Sequence, residues 1–236
     1  MNISHISHIA ADSGGVLYVI ALMFLVALTV IIERTWYLLR VANANVAALQ
    51  QVDEAAWIDA PVLVDLSERY ADLPTGRLLA AAARRCGAAR DGVLRDALAP
   101  ALDEVVMREA PGIDRFLWVL DTVVTLAPLL GLFGTILGMF NAFQVLSNPG
   151  NAPTQVTGGV AEALVATASG LFVAMVGLVF FNGLQNRVRN VVHQLETLKG
   201  VLLNRLVTIS QTQRDYSKGE DAAPLATVNR FAVHGA

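Results

Sequence analysis

Charge is scarce in this chain. Only 16% of its 236 residues are Asp, Glu, Lys or Arg, where a water-soluble domain carries about a quarter. Hydrophobic residues make up 55%, and the mean hydropathy is +0.53. That deficit argues against an ordinary soluble fold and points to lipid. Cysteine is nearly absent too. Cys86 stands alone, which excludes an internal disulfide and any zinc site built on cysteine pairs. It reads as a small, partly buried residue in a reducing compartment. The net charge of −3 gives no support to a nucleic-acid partner. The sequence holds no glycine-rich phosphate loop, no nucleophile with a base at triad spacing and no metal cluster, so no enzyme, cofactor or metal is expected. His5 and His8 are three residues apart, but near a chain end they read as a frayed segment rather than a ligand pair.

Two segments lack Lys and Arg altogether, residues 1–15 and residues 147–157. Ten of the 17 basic residues fall in 33–115 and seven from Arg187 onward. Basic residues collect on the cytoplasmic side of a membrane. The chain start and the 147–157 loop are therefore expected outside, and the other two segments inside. Three uncharged apolar runs make the count consistent: 16–32, 122–146 and 163–182. A spanning helix needs about 20 apolar residues, with about 17 as the lower bound. The first run has no basic residue before it and Glu33-Arg34-Thr35-Trp36 after it. It reads as a retained anchor rather than a cleaved signal. Trp36 and Tyr37 fit interface aromatics.

The expected fold class is an all-α membrane protein. Three transmembrane helices are expected at 16–37, 116–146 and 158–184. A helical cytoplasmic domain fills 38–115, a helical extension 185–215, and a disordered tail 216–236. The 38–115 segment is alanine- and leucine-rich, broken by Pro61 and Pro74-Thr75-Gly76, without lasting strand alternation. After Asn182 the apolar period continues through Val188, Val192, Leu195, Leu198, Leu202, Leu206 and Ile209, an oligomer or bundle seam.

The second and third runs are rich in small residues. Gly131, Gly134 and Gly138 recur at helical spacing in the second, with Thr135 among them and Pro128 below, where a kink is expected. Thr167, Gly170, Ala174 and Gly177 form a stripe down the third. Small residues let helix backbones approach closely in lipid. Counting inward from Leu146 and Gly158, Thr135 and Thr167 fall about 14–16 Å deep at 1.5 Å per residue, so their hydroxyls are expected at one level. Glu162 falls only about 6 Å deep on the same rise. A carboxylate there faces a bundle interior or a watery cavity in most membrane proteins. Glu162 and Thr167 stand about 140° apart around the helix, whereas Ser169 shares the face of Glu162. Asp121 sits about one turn inside the second span, as a pathway or partner contact or as an interfacial residue. Two such helices cannot enclose a pore. The path must be shared among copies or with a partner helix, and if protons cross, a midplane carboxylate is expected from another subunit.

These residues carry a family resemblance. APLLGLFGTILGMFNAF at 127–143 and GGVAEALVATASGLFVA at 158–174 resemble the MotA/TolQ/ExbB proton-channel family, closest to ExbB with TolQ next. Glu33-Arg34 after the first span and Phe181-Asn182 agree with it. The MotA branch fits least, because it has four spans. The resemblance implies a multi-pass protein of the inner membrane, N-terminus periplasmic and C-terminus cytoplasmic. It implies a homo-pentamer whose central pore holds helices of an ExbD- or TolR-like single-span partner, which supplies the membrane aspartate. It implies coupling of the proton motive force to a TonB- or TolA-like protein. Thr135 and Thr167 match the family's pore threonines, and Glu162 its membrane glutamate. A TolQ-like envelope-integrity role, a sodium-coupled version and a non-conducting scaffold are the alternatives.

Overall fold

A computed structural model describes residues 15–55, 59–88, 94–146 and 153–221. Every regular element in that range is helical: α1 (Val16–Glu54), α2 (Ala60–Arg69), α3 (Pro74–Ala88), α4 (Leu94–Ile113), α5 (Leu117–Leu146) and α6 (Pro153–Asp221). The fold class is that of the sequence, all-α. Three helices are long and apolar enough to cross a membrane, with peak mean hydropathies of 2.7, 2.1 and 2.3. His5 and His8, the centre of the expected outer loop and residues 222–236 lie outside the described residues.

Element ends follow from chain chemistry. Asp59 precedes α2 in an extended conformation, with proline in the first turn. Pro74 opens α3 and Pro153 opens α6. Proline suits a first helical position, because its missing N–H would have no partner there. This corrects two expected boundaries. The outer connection 147–157 is shorter than expected, since α6 already begins at Pro153. The tail expected to be disordered from Tyr216 is helical through Asp221. As expected of long helices that extend into the helical domain, α1 runs on past the span through its alanine-rich continuation to Glu54. Pro128 lies within α5 without interrupting it.

The chain forms two compact units. The first takes residues through Leu39 together with Ile113–Arg189. Its buried line on α1 is Val16, Ile20, Ala27, Ile31, Arg34 and Leu38, one face at helical period. Its exposed surface carries Leu22, Leu25, Phe133, Ile136, Phe172 and Val179, the apolar coat a bilayer requires. Phe116 immediately precedes α5 at φ 67, a left-handed conformation unfavourable for a bulky residue. Its ring is held by the Arg34 guanidinium at 5.3 Å and that of Arg115 at 4.6 Å.

The second unit takes Arg40–Gly112 and residues from Asn190 onward. Leu63, Leu78, Leu79, Leu98, Leu102, Leu195, Leu198 and Leu202 fill its core. On α6 the buried seam there uses Val191, with Val192 half-exposed beside it. Asn45 is buried; its amide donates to the Val191 carbonyl at 3.3 Å, and its oxygen accepts from Thr75 Oγ1 at 2.6 Å. Lys199 bonds Asp103, Arg77 bonds Glu109, and Arg205 donates to the carbonyls of Asp53 and Ala55.

Candidate functional site: the α5–α6 helix pair

Within the first unit α5 and α6 meet through residues almost without side chains. A Cβ on Gly170 would lie 2.4 Å from the Ala127 carbonyl oxygen and 3.1 Å from Gly131 Cα. One on Gly131 would lie 3.0 Å from Thr167 Cα. One on Gly134 would meet the Ala166 methyl at 2.8 Å, and one on Gly138 the Ala163 methyl at 2.7 Å. Gly177 approaches Val124, and Ala174 is buried on the same stripe. These contacts fix an antiparallel register. Gly138 lies by Ala163, Gly134 by Ala166, and Gly131 by Thr167.

Thr167 packs against Gly131, and the hydroxyls of Thr167 and Thr135 bond to the consecutive carbonyls of Gly131 and Leu132. The two hydroxyls are used differently. Thr135 Oγ1 donates to Leu132 O at 2.6 Å, a bond within its own helix. Thr167 Oγ1 donates to Gly131 O at 2.9 Å, across to α5. In α5 the Gly131 carbonyl is also the ladder acceptor for the Thr135 N–H, so one carbonyl links both positions.

Flank assignments follow from rotation at about 100° per residue. The α6 contact stripe of Ala163, Ala166, Gly170, Ala174 and Gly177 runs between Thr167 on one side and Glu162 with Ser169 on the other. With the helices antiparallel, Thr135 and Thr167 fall on the same flank of the pair. Glu162 and Ser169, both half-buried, fall on the opposite flank. That opposite flank is where α1 packs, since Val16 Cγ1 would lie 3.3 Å from a Cβ on Gly134. The three residues Thr135, Glu162 and Thr167 therefore do not converge on one point within a protomer.

The threonine flank continues into a cleft of about 330 Å³ lined by Asp114, Leu117, Trp118, Asp121, Phe181, Gln185, Val188 and Arg189. Leu117 precedes Thr135 by eighteen residues, and Gln185 follows Thr167 by the same number. Eighteen residues are five turns at 3.6 residues per turn. Both cleft residues thus lie on the threonine line of their helices. Asp121 was singled out in the sequence; Asp114, Gln185 and Arg189 were not, although the eighteen-residue spacing would have found Gln185. Among the described residues no group of three His, Cys, Asp or Glu side chains is placed to hold a metal.

Comparisons with known proteins agree on one relationship. Residues 70–197 match the MotA/TolQ/ExbB proton channel family. The chain is 33% identical over 175 residues to a biopolymer transport protein, ExbB-like 3, of Synechocystis sp., covering 72% of this chain and 80% of that one. It is 40% identical over 114 residues to the Tol-Pal system protein TolQ of Haemophilus influenzae, 48% of each chain. It is 36% identical over 98 residues to the biopolymer transport protein ExbB of Xanthomonas campestris pv. campestris, 41% of this chain and 39% of that one.

Proposed function

This chain belongs to the MotA/TolQ/ExbB proton channel family, and on that footing we propose that it is the channel and motor subunit of an ExbB-ExbD-TonB-like complex. It is a multi-pass membrane protein and a proton-channel subunit of ExbB/TolQ type. In the proposed role it sits in the inner membrane, N-terminus periplasmic and C-terminus cytoplasmic. Copies surround helices of an ExbD- or TolR-like single-span partner, a pentamer in the family pattern. The partner's membrane aspartate carries the proton, and the motion is passed to a TonB-like protein that energises uptake through the outer membrane.

One observation carries this reading. The glycine-packed α5–α6 pair puts Thr135 and Thr167 on a flank that α1 does not cover, tied through the Gly131 carbonyl. Hydroxyl and carbonyl oxygens there can solvate a water chain once neighbouring protomers close the ring. Glu162, on the α1-packed flank, is proposed to act in the same pathway from the outer end. A partner is needed because the described α5 and α6 segments supply no carboxylate at the threonine level. A TolQ-like role in envelope integrity is the second reading, favoured by the 40% identity to a TolQ protein. Neighbouring genes for a TonB-like or a TolA/Pal-like protein separate the two.

The test is proton-driven uptake in cells carrying Thr167→Ala or Glu162→Ala. Loss of uptake with normal assembly is expected for both. Survival of uptake in both, again with normal assembly, excludes conduction through these residues and leaves a scaffold. Replacing sodium in the same assay distinguishes the coupling ion.

A further inference from the structure

The cleft at the inner end of the α5–α6 pair is placed where the threonine line would meet water. Its polar lining is Asp114, Asp121, Gln185 and Arg189. Asp121 is exposed and lies one turn into α5. Fourteen residues separate it from Thr135, which leaves it only about 40° from the threonine line. Among the described residues no ion pair engages Asp121 or Asp114. Arg189, the other charged group in the cleft, is hydrogen-bonded to Asn186 on its own helix instead. The carboxylates are thus available to a mobile cation, and Leu117, Trp118, Phe181 and Val188 form the apolar part of the lining.

We propose that this cleft is the cytoplasmic mouth of the ion path and that the Asp121 carboxylate exchanges protons there between the path and bulk water. This rests on the channel reading above. A proton arriving along the threonine flank converts the carboxylate to the acid. The acid then gives that proton to a cleft water as hydronium and returns to carboxylate, with no other species consumed. Exposure suits this role, because the group must touch water on one side and the path on the other. Gln185, on the Thr167 line, orders the water between them. Asp114 and Arg189 set the local field without exchanging protons in the cycle.

The experiment uses the purified complex with its natural partner in proteoliposomes, with flux read from an internal pH dye. Asp121→Asn should cut flux at least tenfold with native assembly, and Asp121→Glu should restore most of it. Thr167→Val serves as the reference for the channel reading. If Asp121→Asn conducts as the native complex while Thr167→Val does not, the mouth is elsewhere and the channel reading stands. If both conduct as native, the channel reading itself falls. A second arm avoids any folding defect. Gln185→Cys in a Cys86→Ser background should be blocked by a charged thiol reagent applied from the cytoplasmic face. Undiminished flux after confirmed modification of that cysteine overturns the proposal.

Discussion

The two units of this chain are both helical, but they are held together by different forces. In the membrane unit α5 and α6 touch backbone to backbone, with a Cβ on Gly170 only 2.4 Å from a carbonyl oxygen. In the second unit the helices meet through leucine side chains, with the Asn45–Thr75 pair and several ion pairs between them. The difference follows from the solvent. A leucine gains little by leaving lipid tails for a helix interface, so close approach and backbone contact must do the holding. In water each buried apolar Å² contributes roughly 25 cal/mol, and large side chains are the stronger choice. The membrane unit is therefore sensitive to added atoms and the second unit to removed ones.

That contrast can be broken by swapping the direction of change. Leu102→Ala, in the core of the second unit, should cost about 2–5 kcal/mol through the cavity it leaves. Gly170→Leu, at the α5–α6 contact, should cost about 3 kcal/mol or more, at or beyond the usual range for overpacking. Both can be followed by thermal unfolding in detergent and by native mass of the complex. Gly183→Leu is the control, since a Cβ there meets nothing within 4 Å; it should assemble as the native protein does. A Gly170→Leu complex of native stability would mean that the helix pair is not packed as described.

Smaller effects sharpen the same comparison. Asn45→Ala strands the buried Thr75 hydroxyl and should cost about 1–3 kcal/mol, measured by denaturant unfolding. Thr167→Val removes one interhelical hydrogen bond in lipid and should cost only about 0.6 kcal/mol of stability. Its flux, by contrast, should fall far more than its stability, which separates a conduction role from a structural one. Glu104→Ala, which removes an exposed i,i+4 pair with Arg108, should change stability by about 0.5 kcal/mol or less. Burial pushes the Cys86 thiol above its ordinary pKa. Less thiolate is then present at neutral pH, so alkylation should be slower than for free cysteine and speed up only at higher pH.

Much of this was legible in the sequence because small residues at helical spacing leave a clear period. Gly131, Gly134 and Gly138 mark one face of α5, and Gly170, Ala174 and Gly177 one face of α6. The 140° between Glu162 and Thr167 already told that they stand on different sides. Which glycine meets which partner was not legible, because no single-helix period contains that. Asn45 was invisible for a similar reason. Its partners Thr75 and Val191 lie far off in sequence, and an asparagine in an alanine-rich helix looks like a solvated residue. The cleft was missed except at Asp121, because Gln185 and Arg189 look like ordinary polar residues beyond a membrane span. Only the five-turn spacing from Thr167 to Gln185 links one of them to the packed pair.

The most direct measurement asks whether water reaches the threonine flank. In the assembled complex, with Cys86→Ser as background, Thr135→Cys should react with a membrane-impermeant charged thiol reagent and lose flux as it does so. Val179→Cys, on the far side of α6 from α5 and 70% exposed in the protomer, should stay unmodified in lipid. An inert cysteine at 135 beside a reactive one at 179 would contradict a wet path along these two helices.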